Sequence, residues 1–191
     1  MGTVIVLAGR RYDAADAPTP RFPLANGPAV QGRLGELFQE ENATAMVSSA
    51  ACGADLLALQ AAGFLRMRRR VVLPFDRHRF RATSVTDRPG QCGPAYDHVI
   101  DEVEAGGDLV VIEHDGDDSS AYRAVTEELF NQAIWLAEDE AKAAKPGAAA
   151  APRMVAVVVW EGQSRGKGDE TARFAEIAEQ RDIPAVHVIT V

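Results

Sequence analysis

The sequence predicts an α/β fold built on a doubly wound, mainly parallel sheet of about six strands, with helices on both faces. The first observation is a series of short apolar segments rich in β-branched residues, such as 3–8 and 154–160, which is typical of strands buried on both faces. The second is that amphipathic segments such as 30–41 separate these strands, with apolar residues recurring at helical spacing. Strands that alternate with helices predict a parallel sheet that is covered on both sides.

The elements follow from the same two patterns along the chain. Apolar runs bounded by small or turn-forming residues predict strands at 3–8, 45–47, 71–73, 109–112, 154–160 and 185–190. Helical periodicity predicts helices at 30–41, from about 56 to 65 or 67, at 96–105, at 121–144 and from about 172 to 178. Asp118 or Ser119 is expected to cap the fourth of these helices, in preference to a metal or ribose site in the acidic segment 113–120.

Three further segments carry predictions of their own. The arginines of 66–70 are expected at a helix C-terminus, where the helix dipole favours positive charge. Segment 75–85 is predicted to be a basic loop, and its arginine Arg79 suits phosphate binding because a guanidinium matches phosphate oxygens. Residues 145–153, rich in Ala and Pro, are predicted to form a flexible connector within a single domain that spans 1–191.

Composition limits the partners and the compartment that the chain is expected to have. A net charge of −8 argues against broad nucleic-acid binding, which favours a basic surface. No apolar run approaches the length of a membrane span, and no signal peptide pattern begins the chain, so we expect a cytoplasmic protein with no membrane partner. The two cysteines, Cys52 and Cys92, form no zinc pattern and are expected to be reduced thiols. No metal and no cofactor is predicted.

Small residues follow the second predicted strand and lead into a helix. Residues 48–55 read Ser-Ser-Ala-Ala-Cys-Gly-Ala-Asp, and a turn of this kind lets a ligand approach the backbone at a helix N-terminus. Free N–H groups and the helix dipole favour an anion there, which in nucleotide proteins is usually phosphate. The alternative is a plain strand–helix turn whose small residues only allow close packing. The glycine-rich segment 161–171 repeats this pattern after the fifth strand.

Four motifs in order, with a short segment after the first, resemble the SLOG superfamily, which is named for the SMF/DprA and Lonely Guy proteins. Segment 9–13, Gly-Arg-Arg-Tyr-Asp, is similar to its G-H-R-x-D motif, and 21–23, Arg-Phe-Pro, to the segment that often follows. Segment 49–55 resembles S-A-A-x-G-A-D, and 73–75 with Phe80 and 83–85 resembles L-P-F…F…S-V. Segments 159–162 and 166–172 resemble W-D-G…G-G-T-A-D. The resemblance implies a Rossmann-like domain that binds a nucleotide or nucleotide derivative, and it makes a homodimer an expectation.

The candidate binding residues come from these motifs and from the turns that they contain. They are expected to hold phosphate through backbone N–H groups and arginine, and to add hydroxyl hydrogen bonds: Gly9, Arg10, Arg11, Ser49, Ala50, Cys52, Gly53, Ala54, Asp55, Pro74, Arg79, Ser84, Gly162, Gly166, Lys167, Gly168, Asp169 and Thr171. Asp55 is predicted either to cap its helix or to bind a ribose hydroxyl, with capping favoured. Cys52 is read as a small turn residue rather than as a nucleophile.

Three functions are compatible with the resemblance. The first is a non-catalytic module that binds a nucleotide. The second is a Lonely Guy-like hydrolase that cleaves the N-glycosidic bond of nucleoside monophosphates, with Glu170 as the candidate acid or base. The Lonely Guy motif is P-G-G-x-G-T-x-x-E. This sequence has Phe174 at the position of the motif's Glu, which counts against a hydrolase. The third, binding of single-stranded DNA as in DprA-like proteins, is disfavoured by the acidic charge and the few aromatic residues.

Overall fold

The computed structural model describes residues 2–112, 118–143 and 153–191. In these residues six parallel strands form one sheet in the order β4-β3-β2-β1-β5-β6. The strands are β1 (Thr3–Gly9), β2 (Ala43–Ser48), β3 (Arg68–Leu73), β4 (Leu109–Val111), β5 (Arg153–Trp160) and β6 (Ala185–Ile189). The predicted α/β class and the parallel sheet of six strands are confirmed.

Six helices connect the strands in the described part of the chain. They are α1 (Gly27–Glu40), α2 (Ala54–Phe64), α3 (Arg77–Phe80), α4 (Gly93–Ala105), α5 (Asp118–Ala143) and α6 (Glu170–Gln180). A 3-10 turn at Leu24–Asn26 precedes α1, and a π turn at Arg81–Val85 follows α3. The helices α1, α2, α4, α5 and α6 are the five that helical periodicity predicts, with ends shifted by a few residues.

The sheet is buried on both faces because its side chains alternate. Ile5 and Leu7 of β1 point into a core that α1, α2 and α4 cover, whereas Val4 and Val6 point into a second core under α5 and α6. Helix α1 turns an apolar stripe to the first core, with Val30, Leu34 and Phe38 all buried. This two-sided burial explains why the strands are almost continuously apolar.

Two local predictions are wrong. Arg68, Arg69 and Arg70 do not end a helix but begin β3, where Arg70 is buried and both Arg68 and Arg70 bind the Asp108 carboxylate. Segment 75–85 is largely helical rather than a loop, because the Asp76 carboxylate accepts hydrogen bonds from the N–H groups of His78 and Arg79 and so caps α3.

The expectation of reduced cysteines is also wrong. Cys52 and Cys92 form a disulfide, with Cα atoms 5.6 Å apart and a separation of 40 positions in sequence. The bond joins the turn before α2 to the start of α4, two places that the fold brings together and that the sequence separates widely. Cys52 is fully buried and its sulfur is bonded, so it is not a free nucleophile.

Other expectations fall partly outside the described residues. The predicted connector at 145–153 lies outside them apart from Arg153, which begins β5. The acidic segment 113–117 also lies outside them, and α5 begins at Asp118. None of the helices in the described ranges has the length and apolar character that a membrane crossing requires. Across those same ranges, no three His, Cys, Asp or Glu side chains are grouped so as to hold a metal ion.

The strand order reverses next to β1. The chain proceeds from β1 outward through β2, β3 and β4, and then returns through α5 to place β5 on the other side of β1. In open parallel sheets the crevice at such a switch point, beyond the carboxyl ends of the strands, is the usual place for a ligand. The loops that follow β1 and β5 therefore bound the candidate site.

Candidate functional site

A crevice of about 700 Å³ lies at the carboxyl ends of the strands, at this switch point. Its walls come from the loops after β1, β2, β3 and β5 and from one side of α5. Polar side chains on these walls include those of Arg11, Ser49, Asp55, Ser84, Arg88, Tyr122, Thr126, Glu170 and Thr171. A volume in this range is typical of pockets that hold small ligands.

The N-terminus of α2 is covered by the chain itself. The loop after β1 crosses it, because the Ala54 N–H donates to the Arg10 carbonyl (3.0 Å) and the Tyr12 N–H to the Cys52 carbonyl (3.1 Å). Gly53 has a φ of 136°, and an added Cβ would lie 2.6 Å from the Arg10 carbonyl oxygen. The small residues of the turn thus admit a neighbouring segment of the protein, and Gly53 and Ala54 do not line the crevice.

Asp55 lies in the first turn of α2 and lines the crevice, with only 7% of its surface exposed. Its Oδ2 accepts a hydrogen bond from the Ala51 N–H (3.2 Å), which closes the turn before the helix. Its Oδ1 is buried without a hydrogen-bond partner in the described residues. Burial raises the pKa of the Asp55 carboxyl to about 7, although the amides of Ala51 and Gly9 and the charge of Arg11 act in the opposite direction.

Arg10 is held by acidic residues below the crevice. Its guanidinium binds Asp169 through Nη1 (2.5 Å) and Glu161 through Nε (2.7 Å), and the Arg10 side chain is only 3% exposed. Nη2 also donates to the Gln163 carbonyl (2.8 Å). Glu161 binds Arg21 as well, which joins the segment after β5 to the long loop after β1. Arg10 therefore organises the loops with its charge already compensated.

Asp169 caps α6. Its Oδ1 accepts the N–H groups of Thr171 (3.1 Å) and Ala172 (3.3 Å), and its Oδ2 accepts the N–H of Arg165 (2.7 Å). Burial would raise the pKa of this carboxyl, but the hydrogen bonds from Arg10 and Arg165 and the charge of Arg10 outweigh burial and hold its pKa well below the usual range. The first N–H groups of α6 are bound by a side chain of the protein itself.

Two further arginines on the crevice wall share one acidic partner. Arg11 binds both oxygens of Asp87 (2.7 and 3.0 Å), and the Nε of Arg88 lies 3.5 Å from the same carboxylate, too far for a hydrogen bond. Both Arg11 and Arg88 line the crevice. Two guanidinium groups that share one carboxylate leave a net charge of about +1 at this wall, which favours an anion.

Hydroxyl groups line another part of the crevice wall. The hydroxyls of Ser84 and Tyr122 lie 2.6 Å apart, and the Thr126 hydroxyl donates to Glu170 Oε2 (3.0 Å). The Thr171 side chain also lines the crevice and is 6% exposed. The described residues show no hydrogen bond from the Thr171 hydroxyl. This wall therefore offers donors and acceptors without a net charge other than that of Glu170.

The structure brings together about half of the predicted site residues. Those that line the crevice are Gly9, Arg10, Arg11, Ser49, Asp55, Ser84, Gly168, Glu170 and Thr171. Those that do not line it are Ala50, Cys52, Gly53, Ala54, Pro74, Arg79, Gly162, Gly166, Lys167 and Asp169. Of the second group, exposed Arg79 pairs with Asp118, which does line the crevice, at 2.5 Å. Segments far apart in sequence thus meet at one place.

Helix α5 and Arg88 were not among the predicted site residues. Ser119, Tyr122 and Thr126 of α5 all line the crevice, beside the apolar Val125 and Leu129. Their spacing of three and four residues puts the polar side chains on one helical face next to an apolar stripe. That interruption of the apolar face is the signal in the sequence that could have located this wall. Arg88 follows the π turn and carries no comparable signal.

Comparisons with known proteins give no family assignment. No protein-family model matches the chain, and no curated protein matches it at a significant level. Among solved structures, the X-ray structure of DNA processing protein A (DprA) from Streptococcus pneumoniae is similar with a TM-score of 0.40 and 13% identity. The match covers 98% of this chain and 59% of that one, so the chain spans less than two thirds of the DprA chain. A likeness at this level carries no argument about function.

Proposed function

We propose that this protein binds a nucleotide or a nucleotide derivative in the crevice at the switch point. The observation that carries the proposal is the pair Arg11 and Arg88, which share Asp87 and leave net positive charge on the wall of a crevice of about 700 Å³. A phosphate group is the anion that guanidinium groups bind most readily in a nucleotide site. The SLOG-like segments 9–13 and 49–55 supply parts of the same walls, which supports the choice of a nucleotide.

We assign the phosphate to side chains of the crevice wall and not to the helix N-termini. Ala54 N–H is already bonded to the chain and Asp169 occupies the start of α6, so the helix N-termini have few N–H groups left for a ligand. Side chains are the better source of phosphate contacts here. Arg11 and Arg88 are about one third and one quarter exposed, and a ligand can reach both.

The experiment is a binding titration of the purified full chain with AMP, ADP, NAD and a cyclic dinucleotide. We expect at least one of these to bind, and Arg11→Gln and Arg88→Gln each to weaken binding about 10- to 100-fold, since a charge-assisted hydrogen bond contributes roughly 1.5–3 kcal/mol. Arg153→Gln is the matched control, because Arg153 pairs with Glu41 (2.6 Å) at the amino end of β5, away from the crevice. Equal loss in all three variants, or binding of none of the probes, would contradict the proposal.

A second candidate function is hydrolysis of an N-glycosidic bond in a nucleoside monophosphate. The observation that favours it is that Glu170 lines the crevice and has Oε2 oriented by the Thr126 hydroxyl. A carboxylate there can activate water or stabilise positive charge at the sugar carbon. Incubation with nucleoside monophosphates, followed by chromatography for the free base, tests it.

The matched pair for this test lies on one helix. Glu170→Gln should abolish base release if Glu170 acts on the substrate, whereas Glu176→Gln should not, because Glu176 is exposed on α6 and does not line the crevice. If nucleoside monophosphates remain intact after long incubation with wild-type protein, hydrolysis is contradicted and only the binding function stands.

A further inference from the structure

We propose that the carboxyl group of Asp55 contacts a sugar hydroxyl of the ligand, so that the crevice selects a ribose over the corresponding deoxyribose. The inference rests on the proposed nucleotide binding and adds the part of the ligand that is recognised. It starts from a buried oxygen, Oδ1, that has no hydrogen-bond partner in the described residues of a chain in which polar groups are otherwise extensively paired.

The side chain that carries this oxygen is part of the crevice wall. Asp55 is more than nine-tenths buried, yet it is part of the crevice wall, beside the small residues Ser49 and Ala51. A carboxylate has about four acceptor positions, and the Ala51 N–H uses one of them. Buried polar atoms are nearly always paired, so a carboxyl group with an unpaired oxygen in the side chain that forms a cavity wall points to a partner that arrives with the ligand.

The chemistry of Asp55 favours a hydroxyl as that partner. Because its pKa lies near 7, the group exists in both protonation states near neutral pH. A phosphate would be repelled by the ionised form. A hydroxyl suits both forms, because it donates to a carboxylate and accepts from a carboxylic acid. A cationic group is disfavoured by the net positive charge of Arg11, Asp87 and Arg88 on the same crevice.

The phosphate and the hydroxyl contacts can belong to one ligand. Arg11 lies close enough to Asp55 for its charge to lower the pKa of that carboxyl, and Arg11 is bridged to Gly53, two residues before Asp55. A phosphate at the Arg11 side and a sugar hydroxyl at Asp55 are therefore the two ends of a compact unit. A phosphorylated ribose has this arrangement of groups.

The experiment compares AMP with its 2′-deoxy and 3′-deoxy analogues and with ribose 5-phosphate, by titration calorimetry on the full chain. We expect wild-type protein to bind AMP about tenfold more tightly than at least one deoxy analogue, the size of one hydrogen bond. Asp55→Ala should lose that discrimination, weakening AMP about tenfold while leaving the weaker deoxy analogue nearly unchanged. Asp55→Asn keeps an amide that donates and accepts, and should retain most of the discrimination.

Controls separate this contact from the binding function. Asp101→Ala removes an exposed carboxylate that pairs with Arg77 outside the crevice and should change neither affinity. Thermal melting of each variant shows whether it is folded. If Asp55→Ala weakens AMP and both deoxy analogues by the same factor, or if wild type does not distinguish them, the Asp55 contact is overturned while nucleotide binding stands. If no probe binds wild-type protein, both are overturned.

Discussion

Two buried aspartates of this protein sit in opposite electrostatic environments. Asp169 receives two nitrogens of Arg10 and three backbone N–H groups, so its charged form is stabilised. Asp55 accepts a hydrogen bond from the Ala51 N–H, and the Gly9 amide and the charge of Arg11 also favour its charged form, but burial outweighs these effects and its neutral form is favoured. The first carboxylate maintains the fold around the crevice, whereas the second lines the crevice with one oxygen unpaired.

The raised pKa of Asp55 predicts a pH dependence of stability. An unfolded aspartate has a pKa of about 3.9, so between pH 4 and 7 the unfolded chain loses this proton while the folded chain keeps it. The stability that the neutral form contributes is therefore present below pH 4 and lost as the pH rises to 7. This amounts to about 4 kcal/mol, that is, roughly three pH units at 1.36 kcal/mol each.

Asp55→Asn removes this titration and gives the measurement. Urea unfolding at pH 4.5 and pH 8 should show the variant gaining stability relative to wild type as the pH rises, with a constant difference above pH 7. Other titrating groups are common to both proteins and cancel in the difference. Parallel curves for the two proteins would mean that Asp55 titrates normally in the folded state.

Replacement of Asp169 should lower stability by more than the loss of a helix cap alone. Asp169→Ala removes the cap of α6 and leaves the buried guanidinium of Arg10 with a single acidic partner, Glu161, which should cost about 3–5 kcal/mol at pH 7. Because the folded pKa of Asp169 is lowered, this contribution is present above about pH 3.9 and declines as the pH falls below it.

Asp76→Ala is the comparison for Asp169→Ala. Asp76 caps α3 with two backbone hydrogen bonds but is exposed and binds no buried arginine, so its replacement should cost much less. Urea unfolding of both variants across pH 2.5–7 measures the two effects. If the two replacements lower the free energy of unfolding by similar amounts, the ion pair of Asp169 with Arg10 contributes no stability beyond that of the helix cap.

At the scale of the elements, the order and type of the main strands and helices could be read from the sequence because burial dictates them. Apolar runs such as 154–160 are buried on both faces of the sheet, which is the environment that a short, β-branched apolar run predicts. The arginines before Val71 do not follow this pattern, because they are charged and yet lie in a strand. Arg70 is buried in β3 because Asp108 and the ring of Trp135 receive its guanidinium, and both partners are distant in sequence.

The candidate site could be predicted only in part, for a physical reason. A turn of small residues before a helix indicates close approach to the backbone, but not whether a ligand or another segment makes that approach. At Gly53 the segment from Arg10 to Tyr12 makes it. At α6 the Asp169 side chain binds the first N–H groups. Arg11 and Asp55 could be chosen from the motifs, whereas Tyr122 and Arg88 enter the site only through the packing of α5 and the π turn.

The Cys52–Cys92 disulfide predicts a sensitivity to reductant at this scale. It closes a loop of 40 residues in sequence, and constraining the unfolded chain in this way contributes about 4 kcal/mol in the chain-entropy description. Reduced wild-type protein should therefore unfold at a lower urea concentration than oxidised protein. The double variant Cys52→Ala, Cys92→Ala should be indifferent to reductant, and wild-type protein that is equally indifferent would contradict the bond.

At the scale of the whole molecule, the amino and carboxyl ends of the strands differ in what they carry. The amino ends of the strands carry turns such as 106–108 and 181–184, which are closed by backbone hydrogen bonds within the chain. The carboxyl ends carry the crevice, whose walls are collected from segments up to about 160 residues apart in sequence. A ligand at the switch point must therefore bind several distant segments at once.

This difference predicts the pattern of hydrogen exchange. In the free protein, amides of the central strands β1 and β2 should exchange most slowly and those of the edge strands β4 and β6 faster, because edge hydrogen bonds open with less loss of packing. A saturating nucleotide should slow exchange together in 10–13, 49–55, 83–88 and 168–171 and at the start of α5, while the turns at the amino edge remain unchanged. Mass spectrometry of peptides from both edges measures this directly. Protection confined to one of these segments would describe a surface contact, and protection at the amino edge would place the ligand outside the crevice.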